Sequence, residues 1–235
     1  MLQPKRRPRG FTLIELMVVV AVIAVVAGLA TIGMGRARPR ASLNGASVEL
    51  RALLHQARQQ ALVSGADVAV LFYPGVSAAT DSLGRVVVYQ DALFNFFNPG
   101  SAVHFGAYDP IALGSATNAA GVVKGEVIET FNLPNGVTFG PATGMGTSAT
   151  LPAPFITIPV TSECSFCLGA GTARRGAVVF DHRGRARFYR TDGPPLVVDG
   201  GSISLTAAEI QGATPLVRLV AITATTGSLQ SVNSD

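Results

Sequence analysis

Tryptophan is absent from this chain, cysteine occurs twice, histidine three times, and only Lys5 and Lys124 are lysines. His55, His104, His182 and one cysteine pair are too few for a dense metal or histidine-based site. Charge is scarce as well: charged residues make up 14% of the chain, against roughly 25% in ordinary soluble domains. Apolar residues reach 48%, so part of the chain is expected to meet lipid. The formal charge of +4 excludes less than it suggests, because Lys5, Arg6, Arg7 and Arg9 all precede the first apolar run. Without them 14 basic residues face 14 acidic ones. Bulk electrostatics therefore do not point to nucleic acid as a partner. No internal repeat and no linker sets off a second domain, and 235 residues suit one membrane segment plus one globular head.

What is present starts at Phe11. Residues 11–34 read FTLIELMVVVAVIAVVAGLATIGM, with Glu15 as the single charge and no proline. A helix rises 1.5 Å per residue, so about 20 apolar residues cross the hydrocarbon core, and this run is long enough with some tilt. The basic residues before it place the N-terminus in the cytoplasm and the rest of the chain outside. Glu15 is the anomaly, because a carboxylate near the middle of a spanning helix costs about 2.5–3.5 kcal/mol on insertion scales. An ordinary secretory signal has an uninterrupted apolar region and a cleavage site after it, which this segment lacks. Snorkelling of Glu15 to the interface is one way to relieve the cost; pairing with a positive charge is the other.

RPRG followed by FTLIEL resembles the signal of type IV pilins and type II secretion pseudopilins: a basic leader ending in Gly10, aromatic Phe11, a glutamate five residues beyond the glycine, then a long apolar run. The resemblance implies that a prepilin peptidase cleaves between Gly10 and Phe11 and that the new Phe11 amine is methylated. It also gives Glu15 a partner, the positive Phe11 amine of an adjacent subunit. Breaking such a pair in low dielectric strands a buried charge, at about 3–5 kcal/mol. The chain is then a substrate of the peptidase and carries no catalytic residues for that step.

Past Met34, Arg36, Arg38 and Arg40 end the lipid-compatible stretch, and Pro39 predicts a bend or loosened turn. Apolar spacing resumes at Leu43, Ala46, Leu50, Leu53, Leu54, Ala57 and Ala61, an amphipathic period near 3.6, and Ser64-Gly65 is the stop. The segments expected are a leader at 1–10, a transmembrane or filament-core helix at 11–34, its amphipathic continuation at 35–64, and a β-rich head at 65–235. Strands are predicted at 68–72, 85–90, 125–131, 137–139, 155–160, 176–181, 185–190, 202–205 and 217–223. The fold class is α+β: a long N-terminal helix packed on antiparallel sheets forming a small sandwich, the architecture the resemblance implies for a pilin. Residues 91–124 and 140–175, rich in Gly, Ala, Pro, Ser and Thr, are expected to be surface loops. ELRALLHQARQQALVSGADVAVLF at 49–72 and GAVVFDHRGRARFYR at 176–190, a hairpin turning at 182–184, are similar to GspH/FimT-type minor pilins and pseudopilins.

Three features in the head invite chemistry. Cys164 and Cys167 lie in a loop with no second CxxC; a small structural disulfide is favoured in an oxidising compartment, with free thiols or a redox or metal pair as alternatives. Arg174, Arg175, Arg183, Arg185, Arg187 and Arg190 are offset locally by Asp181 alone, and GRAR at 184–187 looks like the arginine motif of DNA-binding FimT-like pilins. A solvated hairpin face is favoured over a DNA site at Arg183, Arg185 and Arg187, since aromatic residues beyond Phe188 and Tyr189 are wanting there. Asp181-His182 suggests catalysis, but no serine elbow or paired carboxylates accompany it, and the scattered acids form no EF-hand series. No catalytic residue, cofactor or metal is expected. The resemblance implies a minor pilin or pseudopilin near a filament tip, partnered by other pilins, the prepilin peptidase, the inner-membrane assembly platform and membrane lipid, in a bacterial inner membrane with a periplasmic head. The alternatives are a DNA-binding minor pilin and, with no residues to support it, an anchored enzyme.

Overall fold

The computed structural model describes residues 11–76, 83–114, 116–117, 123–140, 151, 153–160, 163–207 and 216–233, with side chains outside 29–38, 116–117, 123–124 and 233. The leader, with Gly10, lies outside these residues. The chain divides into two units, Met1–Arg38 and Pro39–Asp235.

In the first unit the main element is the start of helix α1 (Leu13–Ser64). Its side chains from Phe11 to Gly28 are exposed. Among the described residues no helix is long and apolar enough to cross a membrane. The helical assignment runs unbroken through Pro39, where the sequence predicts a bend or loosened turn.

In the second unit, α1 buries Leu43, Ala46, Leu50, Leu53, Leu54, Ala57 and Ala61, the stripe that periodicity marks. The helix stops where Gly65 takes φ +68 and donates its N–H to the Ala61 carbonyl at 3.2 Å. Only a residue without Cβ adopts that conformation at little steric cost. Among the described residues the chain then enters ten strands: β1 (Asp67–Tyr73), β2 (Arg85–Asp91), β3 (Ala116–Thr117), β4 (Val123–Asn132), β5 (Val137–Phe139), β6 (Gly176–Phe180), β7 (Ala186–Tyr189), β8 (Gly200–Ala207), β9 (Leu216–Thr223) and β10 (Leu229–Asn233). They form two antiparallel sheets, β3-β4-β2-β1-β6-β7 and β10-β9-β8-β5. Helix followed by antiparallel sheets is the α+β class expected.

The period of two along β1 divides the core. Val68, Val70 and Phe72 join the helix stripe and the inner residues of the second sheet, such as Ile203, Leu205 and Ile222, in one cluster. Ala69, Leu71 and Tyr73 face the other way, against Phe96, Phe105 and Tyr108. This second cluster corrects the expectation of a mere surface loop at 91–124. Its aromatic residues seal the outer face of the first sheet, with Tyr89 stacked on Phe96 at 4.3 Å and Phe97 on Tyr189 at 3.8 Å. The loop also holds a 3-10 turn at Phe105–Ala107 and the short β3.

One strand expectation is corrected, and a further strand appears that the sequence pattern does not mark. Residues 155–160 form turns: Ile158 donates to the Phe155 carbonyl at 3.0 Å, and Phe155, Ile158 and Val160 are buried against Leu219 and Ala221. Pro159 lacks a ladder donor, and burial three residues apart suits a turn better than a strand. The expected surface loop at 140–175 therefore contributes a covering layer to the second sheet. At the other end β10, which the sequence reading lacks, pairs with β9 from Leu229 to Asn233.

Candidate functional site

The first candidate site is built by the start of α1. Thr12 sits just before the helix, and Leu16 donates to its carbonyl at 3.2 Å. Its hydroxyl accepts the Glu15 N–H at 3.3 Å, while Glu15 Oε2 accepts the Thr12 N–H at 3.0 Å and the Thr12 hydroxyl at 3.1 Å. This is a reciprocal capping box, which satisfies helix-end donors that otherwise lack partners. The sequence reading considers only snorkelling or an intermolecular amine for Glu15 and misses this role. The T-x-x-E spacing of Thr12-Leu13-Ile14-Glu15 is the signal that reveals it. Only Oε2 is used, so Oε1 remains open to a further donor among the described residues. Phe11, next to the box, is exposed.

The second is the β6–β7 hairpin. Asp181 anchors its turn: one oxygen accepts the N–H groups of Arg183 (2.9 Å) and Arg185 (3.0 Å), and the other takes the Arg185 guanidinium at 2.9 and 2.8 Å. Burial alone would raise the Asp181 pKa, but these hydrogen bonds from Arg185 and Arg183 outweigh it and hold the carboxyl below its ordinary value. Gly184 closes the turn at φ +74, and its carbonyl accepts Arg58 Nε of α1 at 3.1 Å. Arg187 binds Asp67 of β1 at 2.6 Å. Burial pushes the Asp67 carboxyl up, and the Arg187 charge opposes that rise without cancelling it.

Of the six arginines grouped in sequence, five are engaged within the head. Arg174 pairs with Glu163 at 2.6 Å, Arg190 donates to the Ser165 carbonyl at 2.8 Å, and Arg175 grips the carbonyls of Phe105, Gly106 and Tyr108. Arg183 alone has no side-chain partner among the described residues. Phe188 is in the core and Tyr189 lies beneath Phe97, so neither ring is offered to a nucleic-acid base. Arg183, Arg185 and Arg187 thus share one hairpin, with two of the three already carrying carboxylates.

Cys164 and Cys167 are joined in a disulfide with Cα atoms 5.3 Å apart. Both are buried, and Cys164 bridges to Ile203 of β8, so the pair tacks its loop to the second sheet. Asp181 engages the arginines of its turn, and His182 makes no hydrogen bond among the described residues. Among the described residues no group of His, Cys, Asp or Glu could hold a metal ion.

No curated protein and no solved structure matches the chain significantly. Residues 5–31, a small part of its length, match the family described as the prokaryotic N-terminal methylation motif, and this match, which includes the Thr12–Glu15 box, supports a type IV pilin-like protein.

Proposed function

We propose that the chain is a minor pilin or pseudopilin of the GspH/FimT type. It is cut between Gly10 and Phe11 by a prepilin peptidase, methylated on Phe11, and assembled through its N-terminal helix into a type IV pilus or a type II secretion pseudopilus. Residues 11–34 anchor it in the bacterial inner membrane before assembly, with the head in the periplasm. Its place is near the tip, among other pilins, and its task is assembly without catalysis.

The single observation that carries this reading is Glu15, a carboxylate in an apolar run with one oxygen committed to the Thr12 box and the other open. The open oxygen suits the methylated, positively charged Phe11 amine of a neighbouring subunit, and neutralisation there offsets the insertion cost of the acid. The cap holds the carboxylate in place while it waits, so the two roles cooperate.

A DNA receptor has weaker support, since Arg185 and Arg187 are already balanced by Asp181 and Asp67. Two experiments test the favoured reading. Intact mass of the membrane-extracted protein is expected to lack residues 1–10 and to carry one added methyl group. Glu15→Ala is expected to leave the protein in the membrane fraction yet remove it from sheared fibres. A mature chain that retains Met1, or a Glu15→Ala protein present in fibres at the wild-type level, would overturn the proposal.

A further inference from the structure

Beside the hairpin lies an open cleft of about 450 Å³ between the ends of β1 and β2, the loop at 94–98 and the β6–β7 turn. Its charge is arranged unusually. Asp67 and Asp91 face each other across the β1–β2 ladder, and Asp181 follows Phe180, the partner of Val68 on the next strand. Three carboxylates therefore line up along one end of three adjacent strands. Like charges directly opposite in a sheet repel, so each needs a compensating cation.

Two receive one. Arg187 serves Asp67 and Arg185 serves Asp181. Asp91 receives none: it is 4% exposed, its Oδ2 accepts the Phe96 N–H at 2.9 Å, and its Oδ1 has no partner among the described residues. The lining includes no third lysine or arginine; His182 is the remaining basic side chain. The cleft is thus one positive charge short, at a carboxylate more than nine-tenths buried.

The rest of the lining indicates what form that charge takes. Phe94 stands at the cleft with 60% of its surface exposed, in a left-handed backbone conformation (φ 54) that is costly for an aromatic residue. Phe97, stacked on Tyr189, forms an adjacent aromatic wall. Aromatic faces attract organic cations and do little for a hydrated metal ion, and a bare carboxylate beside them accepts N–H donors.

We propose that this cleft binds a basic side chain, an arginine guanidinium or a lysine ammonium, of a partner polypeptide. The guanidinium or ammonium hydrogen-bonds Asp91 Oδ1 and its aliphatic stem lies along Phe94. The site does not depend on the assembly reading above: it would operate in any protein carrying this head.

The test uses the full-length protein in detergent micelles and a capped Gly-Arg-Gly peptide, with the citrulline peptide as the uncharged isostere and free arginine amide as the small-molecule control. Binding is followed by calorimetry. The arginine peptide is expected to bind saturably, and at least about tenfold more tightly than the citrulline peptide. Asp91→Asn keeps an acceptor for the Phe96 N–H and is expected to weaken the arginine peptide by about tenfold while the melting temperature holds. Phe94→Leu, on an exposed ring, is expected to weaken it several-fold and serves if Asp91→Asn fails to fold. Tighter binding of the peptide than of arginine amide identifies a polypeptide source; equal binding would reduce the site to one for free amines and overturn the partner. Equal affinity for arginine and citrulline peptides, no saturation up to about 10 mM, or an unaltered affinity in Asp91→Asn or Phe94→Leu would sink the proposal.

Discussion

Asp181 concentrates more of the head's polar energetics than any other described residue in the hairpin, since two N–H groups and one guanidinium converge on a carboxylate that is 3% exposed. Hydrogen bonds to a charged group contribute about 1.5–3 kcal/mol, so Asp181→Ala is expected to lower stability by roughly 3 kcal/mol in urea unfolding. Because its folded pKa is depressed, its contribution is present above the unfolded value near 3.9 and is lost as pH falls through the lower folded value. Asp67 works in the opposite sense. Burial raises its pKa, so the stability it contributes is present below about pH 3.9 and is lost as pH rises through the raised folded value. On acidification from neutral pH, Asp67→Asn is expected to lose stability more steeply than the wild type and Asp181→Asn less steeply; equal acid limbs would contradict both assignments. Gly184 is the second sensitive residue of the turn. An added Cβ would be strained at φ +74 and would lie 3.1 Å from Arg58 Nε. Gly184→Ala is expected to cost about 1–2 kcal/mol, read as a lower melting temperature.

Among the elements, the segment after β2 has the least obvious role in sequence and a large role in packing. Its composition is that of a loop, yet Phe96 and Phe105 are fully buried on the outer face of the first sheet. Three fastenings hold it: the Arg175 guanidinium on the carbonyls of Phe105, Gly106 and Tyr108, Asp192 accepting the Gly106 N–H at 2.9 Å, and the His104–Asp192 contact at 2.8 Å. Phe96→Ala removes the ring stacked on Tyr89 and is expected to destabilise the head by about 3–5 kcal/mol. Limited proteolysis should then cut within residues 91–114. If cleavage and stability stay at wild-type levels, the segment is a surface loop after all. Residues 155–160 make the same point for the second sheet, where Phe155 and Ile158 cover β9 from a run of turns.

At the scale of the whole molecule, the two halves of α1 serve different ends. Leu50 is fully buried in the cluster shared by both sheets, so Leu50→Ala is expected to destabilise the head by about 2–5 kcal/mol, with near-UV and far-UV transitions falling together. Glu15 is exposed, and Glu15→Ala is expected to leave that melt unchanged while abolishing incorporation into fibres. The sequence by itself determined the elements whose pattern is local. The helix stripe from Leu43 to Ala61, its stop at Gly65 and most of the strands follow from periodicity and one left-handed glycine. The N-terminal motif is likewise linear, because its leader, aromatic residue and glutamate lie within a few residues of one another. Even the capping box was written there as Thr12 and Glu15. Only the tertiary structure decided which sheet each strand joins, that two loops of bland composition become covering layers, and that arginines clustered in sequence are mostly spent on neighbours. Those outcomes depend on side chains brought together across long stretches of chain: Asp67 meets Arg187, and Phe97 meets Tyr189. The row of Asp91, Asp67 and Asp181 belongs to the same class, since the pairing of β1 with both β2 and β6 puts three repelling carboxylates from distant parts of the chain side by side.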